Sequence, residues 1–220
     1  MSKFVRDNSL SVVLLSLFAV FIVSLALTGH AHENEQLKQH NQPQISLSSY
    51  LVSSSFGEAV FENWESEFLQ MAALVILTIW LKQKGSADSK KMRGKDKVDT
   101  HSRYSILSAN SWKSGARGVR EIVYGNSLSI ALVALFLVSF LLHGVTGAAA
   151  ANEEALRHGE QAQTVAEYMM SSQFWFESFQ NWQSEFLAVG LLLVLSIFLR
   201  QRGSPESKPV GEKNSTTGNK

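Results

Sequence analysis

The sequence predicts an all-α, polytopic membrane protein: four transmembrane helices arranged as two parallel-duplicated helical hairpins. Three observations predict it. Four apolar blocks alternate with very polar ones, although the mean hydropathy of the whole chain is near zero. Residues 7–90 laid on residues 125–208 match without a gap, at an offset of 118, with about 34 of 84 pairs identical. Lys and Arg fall almost entirely on one side of the four blocks.

The first block runs from Leu10 to Leu27, broken only by Ser11, Ser16 and Ser24. With Thr28 and Gly29 it makes about 20 residues, or roughly 30 Å of helix, enough to cross a bilayer. Asn8 or Ser9 is expected to cap its start. A basic start before an apolar stretch also fits a cleaved signal peptide. Against that, the run is longer than a signal core, and its twin at Leu128–Val145 lies deep inside the chain. Residues 30–55 are polar. In the second copy, Ala148 to Leu156 reads as helical and Gly159 as its end. A further helical piece is expected over Thr164–Ser171, and Pro43 divides the corresponding pieces of the first copy. Short amphipathic helices at the membrane surface would fit both stretches.

The second block has an uninterrupted part, Phe68 to Leu81, of only 14 residues. That is about 21 Å, too short to span alone, so the helix must draw on residues upstream of Phe68. The aromatics there, with Trp64, Phe68, Trp182 and Phe186 foremost, suit the belt at a membrane interface. The resulting domains are a first hairpin repeat (1–85), a basic linker (86–123), a second hairpin repeat (124–203) and a disordered tail (204–220). The linker and tail are charged and poor in apolar residues.

Spans near 10–29, 59–81, 127–147 and 178–199 place 18 of the 20 Lys and Arg on one side, leaving Lys38 and Arg157 on the other. Basic residues accumulate on the cytoplasmic side, so both termini are expected there. Asn214-Ser215-Thr216 is a glycosylation sequon on that side, the wrong one. Each repeat goes out and returns, giving the copies one orientation, unlike the inverted repeats of many transporters. The basic linker is also able to adhere to anionic lipid headgroups.

The polar loops match as well as the apolar runs: Asn34-Glu35 with Asn152-Glu153, His40 with His158, Tyr50 with Tyr168, Phe56 with Phe174. At helical spacing, Phe56, Val60, Asn63, Glu67, Met71, Leu74 and Thr78 share one stripe. Asn181 and Glu185 repeat Asn63 and Glu67, each pair one turn apart and within hydrogen-bonding reach. The other acids were not kept: Glu62 aligns with Gln180, Glu65 with Gln183 and Glu58 with Phe176. Glu67 and Glu185 therefore stand as the candidate polar or ion site. They serve either as a proton or cation site, or as interface groups bonded to Asn63, Asn181 and a neighbouring indole. His30, His32, Glu33 and Glu35 have metal-ligand chemistry. Alanine replaces His30, His32 and Glu33 in the second copy, which favours a solvated loop and no metal. His143 is expected to hydrogen-bond between helices.

The formal net charge of +1 gives no pull toward nucleic acid. The lack of cysteine excludes disulfides and thiolate metal sites. No Walker loop, dinucleotide-binding glycine pattern, nucleophile elbow or zinc-protease helix is present. No enzyme activity and no cofactor is therefore expected.

The stretch Phe61-Glu62-Asn63-Trp64-Glu65-Ser66-Glu67-Phe68-Leu69-Gln70-Met71, the apolar helix after it, Lys82 to Lys90, and the opening Arg6-Asp7-Asn8-Ser9-Leu10-Ser11 carry a resemblance. They resemble a bacterial family of small integral membrane proteins known only as a domain of unknown function. Both copies carry it, centred on Asn-Trp-x-Ser-Glu-Phe. It implies a bacterial inner membrane protein and brings no reaction, substrate or cofactor. His30 and His32 are not part of its pattern. The leading functional expectation is a non-enzymatic structural or interaction protein of the inner membrane, with the bilayer as partner and homo-oligomers open. The alternative is a small transporter or channel using Glu67 and Glu185.

Overall fold

A computed structural model describes residues 3–94, 96–99 and 122–218. The expectation of a disordered linker rests mostly on residues 100–121 and so lies outside the described residues. Among the described residues the chain is helical, without strands. The helices are α1 (Lys3–Asp7), α2 (Ser9–Gln39), α3 (Leu47–Leu51), α4 (Ser54–Leu77), α5 (Ser127–Arg157), α6 (Val165–Met170) and α7 (Ser172–Phe198). α2 and α5, α3 and α6, and α4 and α7 begin 118 residues apart, the offset of the sequence match.

Among the described residues three helices are long and apolar enough to cross a membrane: α2, α5 and α7. α4 is not one of them, because no 18-residue stretch of it avoids Glu62, Glu65 and Glu67. At two of the matching positions α7 has Gln180 and Gln183 instead, and only Glu185 remains. Leu10, Leu15 and Phe21 on α2, Leu128 and Leu141 on α5, and Leu187 and Leu192 on α7 are all exposed. Apolar surface this continuous suits hydrocarbon rather than water. Within α2, Ser16, Ser24 and Thr28 donate their hydroxyls to the carbonyls of Val12, Val20 and Ser24, which satisfies these donors within the helix.

The contacts cluster into two units, 1–61 with 142–174 and 62–141 with 175–220. The division falls inside α4, α5 and α7, so each of these helices contributes to both.

In the first unit α2 does not stop where its apolar run ends. It continues to Gln39, for 31 residues in all. That is about 46 Å against a hydrocarbon core of about 30 Å. The separate surface helices expected after Gly29 are thus partly a continuation of α2. Nothing from Gly29 to Gln39 breaks a helix, and Pro43 comes too late to do so. α2 and α5 then end alike. The Gln42 amide bonds the Leu37 carbonyl and the Asn41 amide that of Lys38; Glu160 and Gly159 repeat this on Ala155 and Leu156. This pattern requires a left-handed residue, which is Asn41 (φ 54°) in one case and Gly159 (φ 74°) in the other. Asn8 precedes α2 without capping it, because its amide donates back to the Phe4 carbonyl; Asn126 does the same to Ile122.

A clamp then folds the chain back. Asn34 bonds both the amide and the carbonyl of Ile45, and Asn152 does the same to Gln163. Ser46 caps α3 and Thr164 caps α6. Tyr50 and Tyr168 are buried, each edge-on to a phenylalanine, Phe56 or Phe174. Their hydroxyls press against Gly29 and Gly147; a Cβ at Gly147 would lie 2.5 Å from the Tyr168 oxygen. Glycine is required there by close approach, not by its backbone angle.

In the second unit, α4 ends at Leu77, short of the expected Leu81. Lys90 folds back and donates to the Ile79 carbonyl. The loops after α4 and α7 are built alike. Ser89 accepts from the Gln83 amide and Ser207 from that of Gln201; Gly85 and Gly203 both take positive φ. The tail, for which the sequence expectation is disorder, makes bonds of its own, and the Gly218 amide donates to the Ser86 carbonyl. Lys208 is buried and donates to the carbonyls of Lys213, Asn214 and Thr216. Burial, and then the nearby Arg200 charge, pull its ammonium below the usual lysine range. Carbonyl oxygens satisfy a cation that a count of charge in the tail assigns to water.

Candidate functional site

The most enclosed acidic group of the second unit is Glu65, with none of its surface exposed. The helical pitch places Glu62 one turn before it, on the same flank of α4. Ser66 and Gln70, also buried, extend that flank. α7 supplies the donors. The Asn181 amide donates to Glu62, and the Trp182 indole N–H donates to Glu65 at 3.0 Å. Both donors are neutral, so they bond the carboxylates without cancelling their charge.

Trp182 is fixed from its other sides. Its ring meets Phe136 of α5 at 6.3 Å, Trp175 at 6.2 Å and Phe179 at 5.5 Å, in edge-on geometry with each. Trp182 thus belongs to a packed aromatic cluster that aims one indole at one carboxylate. Trp64 is its counterpart in the first copy. That ring is exposed and rests against Phe68 at 6.5 Å. Phe186 is exposed.

The structure places Asn63 and Glu67 on the exposed flank of α4, and leaves Asn181 and Glu185 half-buried on α7. Asn181 reaches across to Glu62. Glu67 lies near enough to Glu185 for their charges to interact. Sequence reasoning passed over Glu62 and Glu65 because it kept only acids present in both copies. A usable signal was there: two acids three positions apart, both replaced by the neutral isostere Gln at 180 and 183.

The first unit holds a second polar set. Arg157 pairs with Glu33 at 3.0 Å, both side chains largely buried. Ser54 donates to Glu153 at 2.6 Å, and the Tyr168 hydroxyl to Glu58 at 3.4 Å. Burial, then the charge of Glu33, pushes the Tyr50 phenol up. Hydrogen bonds from the Thr164 amide and hydroxyl hold Glu167 below the usual carboxylate range. His30 lies 2.8 Å from the Ile45 carbonyl and His32 lies 3.1 Å from the Gln36 amide, on helix rather than loop. His143 is buried against Phe174, ring centres 4.8 Å apart. Among the described residues no group of three or more His, Cys, Asp or Glu side chains is gathered closely enough to hold a metal ion. An open cavity of about 420 Å³ is lined by Glu154, His158, Glu160, Gln161, Gln163 and Gln173, with alanines between.

No curated protein and no solved structure matches the chain. The family described as Domain of unknown function (DUF6766) matches residues 1–219, and the chain belongs to it.

Proposed function

We propose that this member of DUF6766 is a four-span protein of the bacterial inner membrane, built by parallel duplication of one helical hairpin, with both termini cytoplasmic. Its role is structural or interactive, without catalysis. The observation that carries this is the apolar surface of α2, α5 and α7, exposed along lengths that suit a bilayer. α4 is the fourth span. The bonds from Asn181 and Trp182 to Glu62 and Glu65 support that assignment, since they let α4 carry its acids beside α7. The matching clamps at Asn34 and Asn152 support the duplication. The basic linker meets anionic lipid, and the exposed Trp64 flank is open to a second copy.

Reporter fusions at Gln42, Gly94 and Gln161 test the threading. The expected result is a cytoplasmic signal at 94 and an extracytoplasmic signal at 42 and 161. An extracytoplasmic signal at 94 overturns it.

A second reading, a small cation or proton transporter, draws on one observation: the charge of Glu67 bears on Glu185. Under that reading Glu67→Gln or Glu185→Gln abolishes ion flux in proteoliposomes while the protein still assembles. Under the structural reading both variants behave as the parent does.

A further inference from the structure

The two copies of the Asn-Trp motif meet head to tail. On α7 the donors are half-buried: Asn181 and Trp182 bond Glu62 and Glu65 of α4. α4 carries the same two donors at the matching positions, and there Asn63 and Trp64 are exposed. The acceptor places show the reverse. Glu62 is half-buried and Glu65 fully buried on α4, whereas Gln180 and Gln183 at the matching positions of α7 are exposed. A pairing that joins unlike flanks is heterologous, and such a contact either closes into a ring or runs on.

We propose that a second copy of this chain docks on these two exposed flanks, and that the pair closes a ring of four motif helices. Asn63 and Trp64 of each copy donate to Gln180 and Gln183 of the other. This repeats, at the same positions of the motif, the bonds from Asn181 and Trp182 to Glu62 and Glu65. Three observations carry it. Gln180 and Gln183 are spaced one turn apart, as Glu62 and Glu65 are, and a carboxamide oxygen accepts where a carboxylate would. The Gln183 carboxamide nitrogen donates to the Gln180 carbonyl at 3.0 Å, which leaves its oxygen to accept on that flank. Glu67, one turn beyond Asn63 and Trp64, is exposed with them. Polar and ionisable groups on a membrane span face other helices rather than lipid, and a second copy gives this flank such a neighbour.

The inference rests on the four-span reading, which makes lipid the alternative neighbour of both flanks. It goes further by fixing the partner, its number and the register of contact. It also gives the glutamines a role: they supply the outer seam with neutral acceptors, which cost less on a span than carboxylates.

The chain has no cysteine, so introduced ones report alone. Met71 and Gly190 each stand two turns beyond Trp64 and Gln183. Met71 is exposed, and a Cβ at Gly190 meets nothing within 4 Å. Two differently tagged full-length chains, one Met71→Cys and one Gly190→Cys, are co-expressed, and their membranes are oxidised with copper phenanthroline. The expected product is a disulfide-linked dimer carrying both tags, at least fivefold more abundant than the dimer either chain forms by itself. Trp64→Phe or Gln183→Leu, placed in both chains, lowers its yield at least fivefold. Gln183→Glu, which restores the residue type of position 65, keeps the yield, and so does Trp80→Phe, an exposed indole beyond the end of α4. Neither Trp64 nor Gln183 makes the bonds from α7 to Glu62 and Glu65, and unchanged circular dichroism establishes that the variants fold. An integral chain that gives no mixed-tag dimer overturns the proposal alone. So does a yield that Trp64→Phe and Gln183→Leu leave unchanged, or a ladder of products longer than a dimer. A chain that alkaline carbonate releases from the membrane overturns the four-span reading, and the dimer with it.

Discussion

Replacing Trp182 by phenylalanine removes one hydrogen-bond donor from a carboxylate with no exposed surface. A hydrogen bond to a charged group contributes about 1.5–3 kcal/mol, and between neutral groups about 0.5–1.5 kcal/mol. Trp182→Phe should therefore destabilise the parent by at least about 1.5 kcal/mol, with a further loss from poorer packing against Phe136 and Phe179. Glu65→Gln should cost little. Its amide oxygen still accepts from the indole, no charge remains to be kept from solvent, and glutamine already stands at the matching position 183. In the Glu65→Gln background the same Trp182→Phe change loses only a neutral bond. The packing loss is common to both backgrounds and cancels. A double-mutant cycle should thus show a coupling of about 1 kcal/mol or more. The assay is reversible unfolding of the purified protein in mixed micelles, followed by tryptophan fluorescence and, because Trp182 is itself a probe, by circular dichroism. If Trp182→Phe costs the same in both backgrounds, the Trp182–Glu65 bond contributes nothing and α4 is not held beside α7 in this way.

Gly147→Ala should destabilise by about 1–3 kcal/mol, because its Cβ would meet the Tyr168 ring, which is enclosed and has little room to yield; Gly125→Ala, with nothing near its Cβ, is the matched control and should be silent in the same melts. Tyr50 should make stability fall at alkaline pH. Its phenol is raised above 10.0, so its contribution is complete below that value and is lost as pH rises through the folded value; Tyr50→Phe should flatten the profile above pH 10.0, and an unchanged profile refutes the assignment. Arg157→Ala should cost more than an exposed ion pair, on the order of 1–3 kcal/mol, since Glu33 stays behind largely buried without its partner. Arg157→Ala with Glu33→Gln should recover part of that loss.

Much of the first unit was legible because its signals are local. Gly159 marks a helix end through its backbone, Thr164 marks a start through its hydroxyl, and the matching loops pointed to the residues that form the clamps. What was not legible depends on neighbours. Helical periodicity places Asn63 and Glu67 on one flank and Glu62 and Glu65 on another, but it does not say which flank meets α7. Retention between copies looked like a guide to function, yet Glu62 and Glu65, the acids that α7 bonds, were not retained. The full length of α2 was hidden for a different reason: its polar last third has high helix propensity, and an apolar run bounds a membrane span, not a helix. Nor does tail composition announce that backbone carbonyls will enclose Lys208.

The bonds between α4 and α7 run one way. Carboxylates stand on the first copy and donors on the second, while Gln180 and Gln183 hold the places that acids would take in a symmetric pair. A self-associating hairpin would have to seat four such acids at its interface, and the fused chain seats two. The second half keeps the donors without those two acids and could not repeat these bonds with a copy of itself, whereas the first half still carries Asn63 and Trp64 beside Glu62 and Glu65.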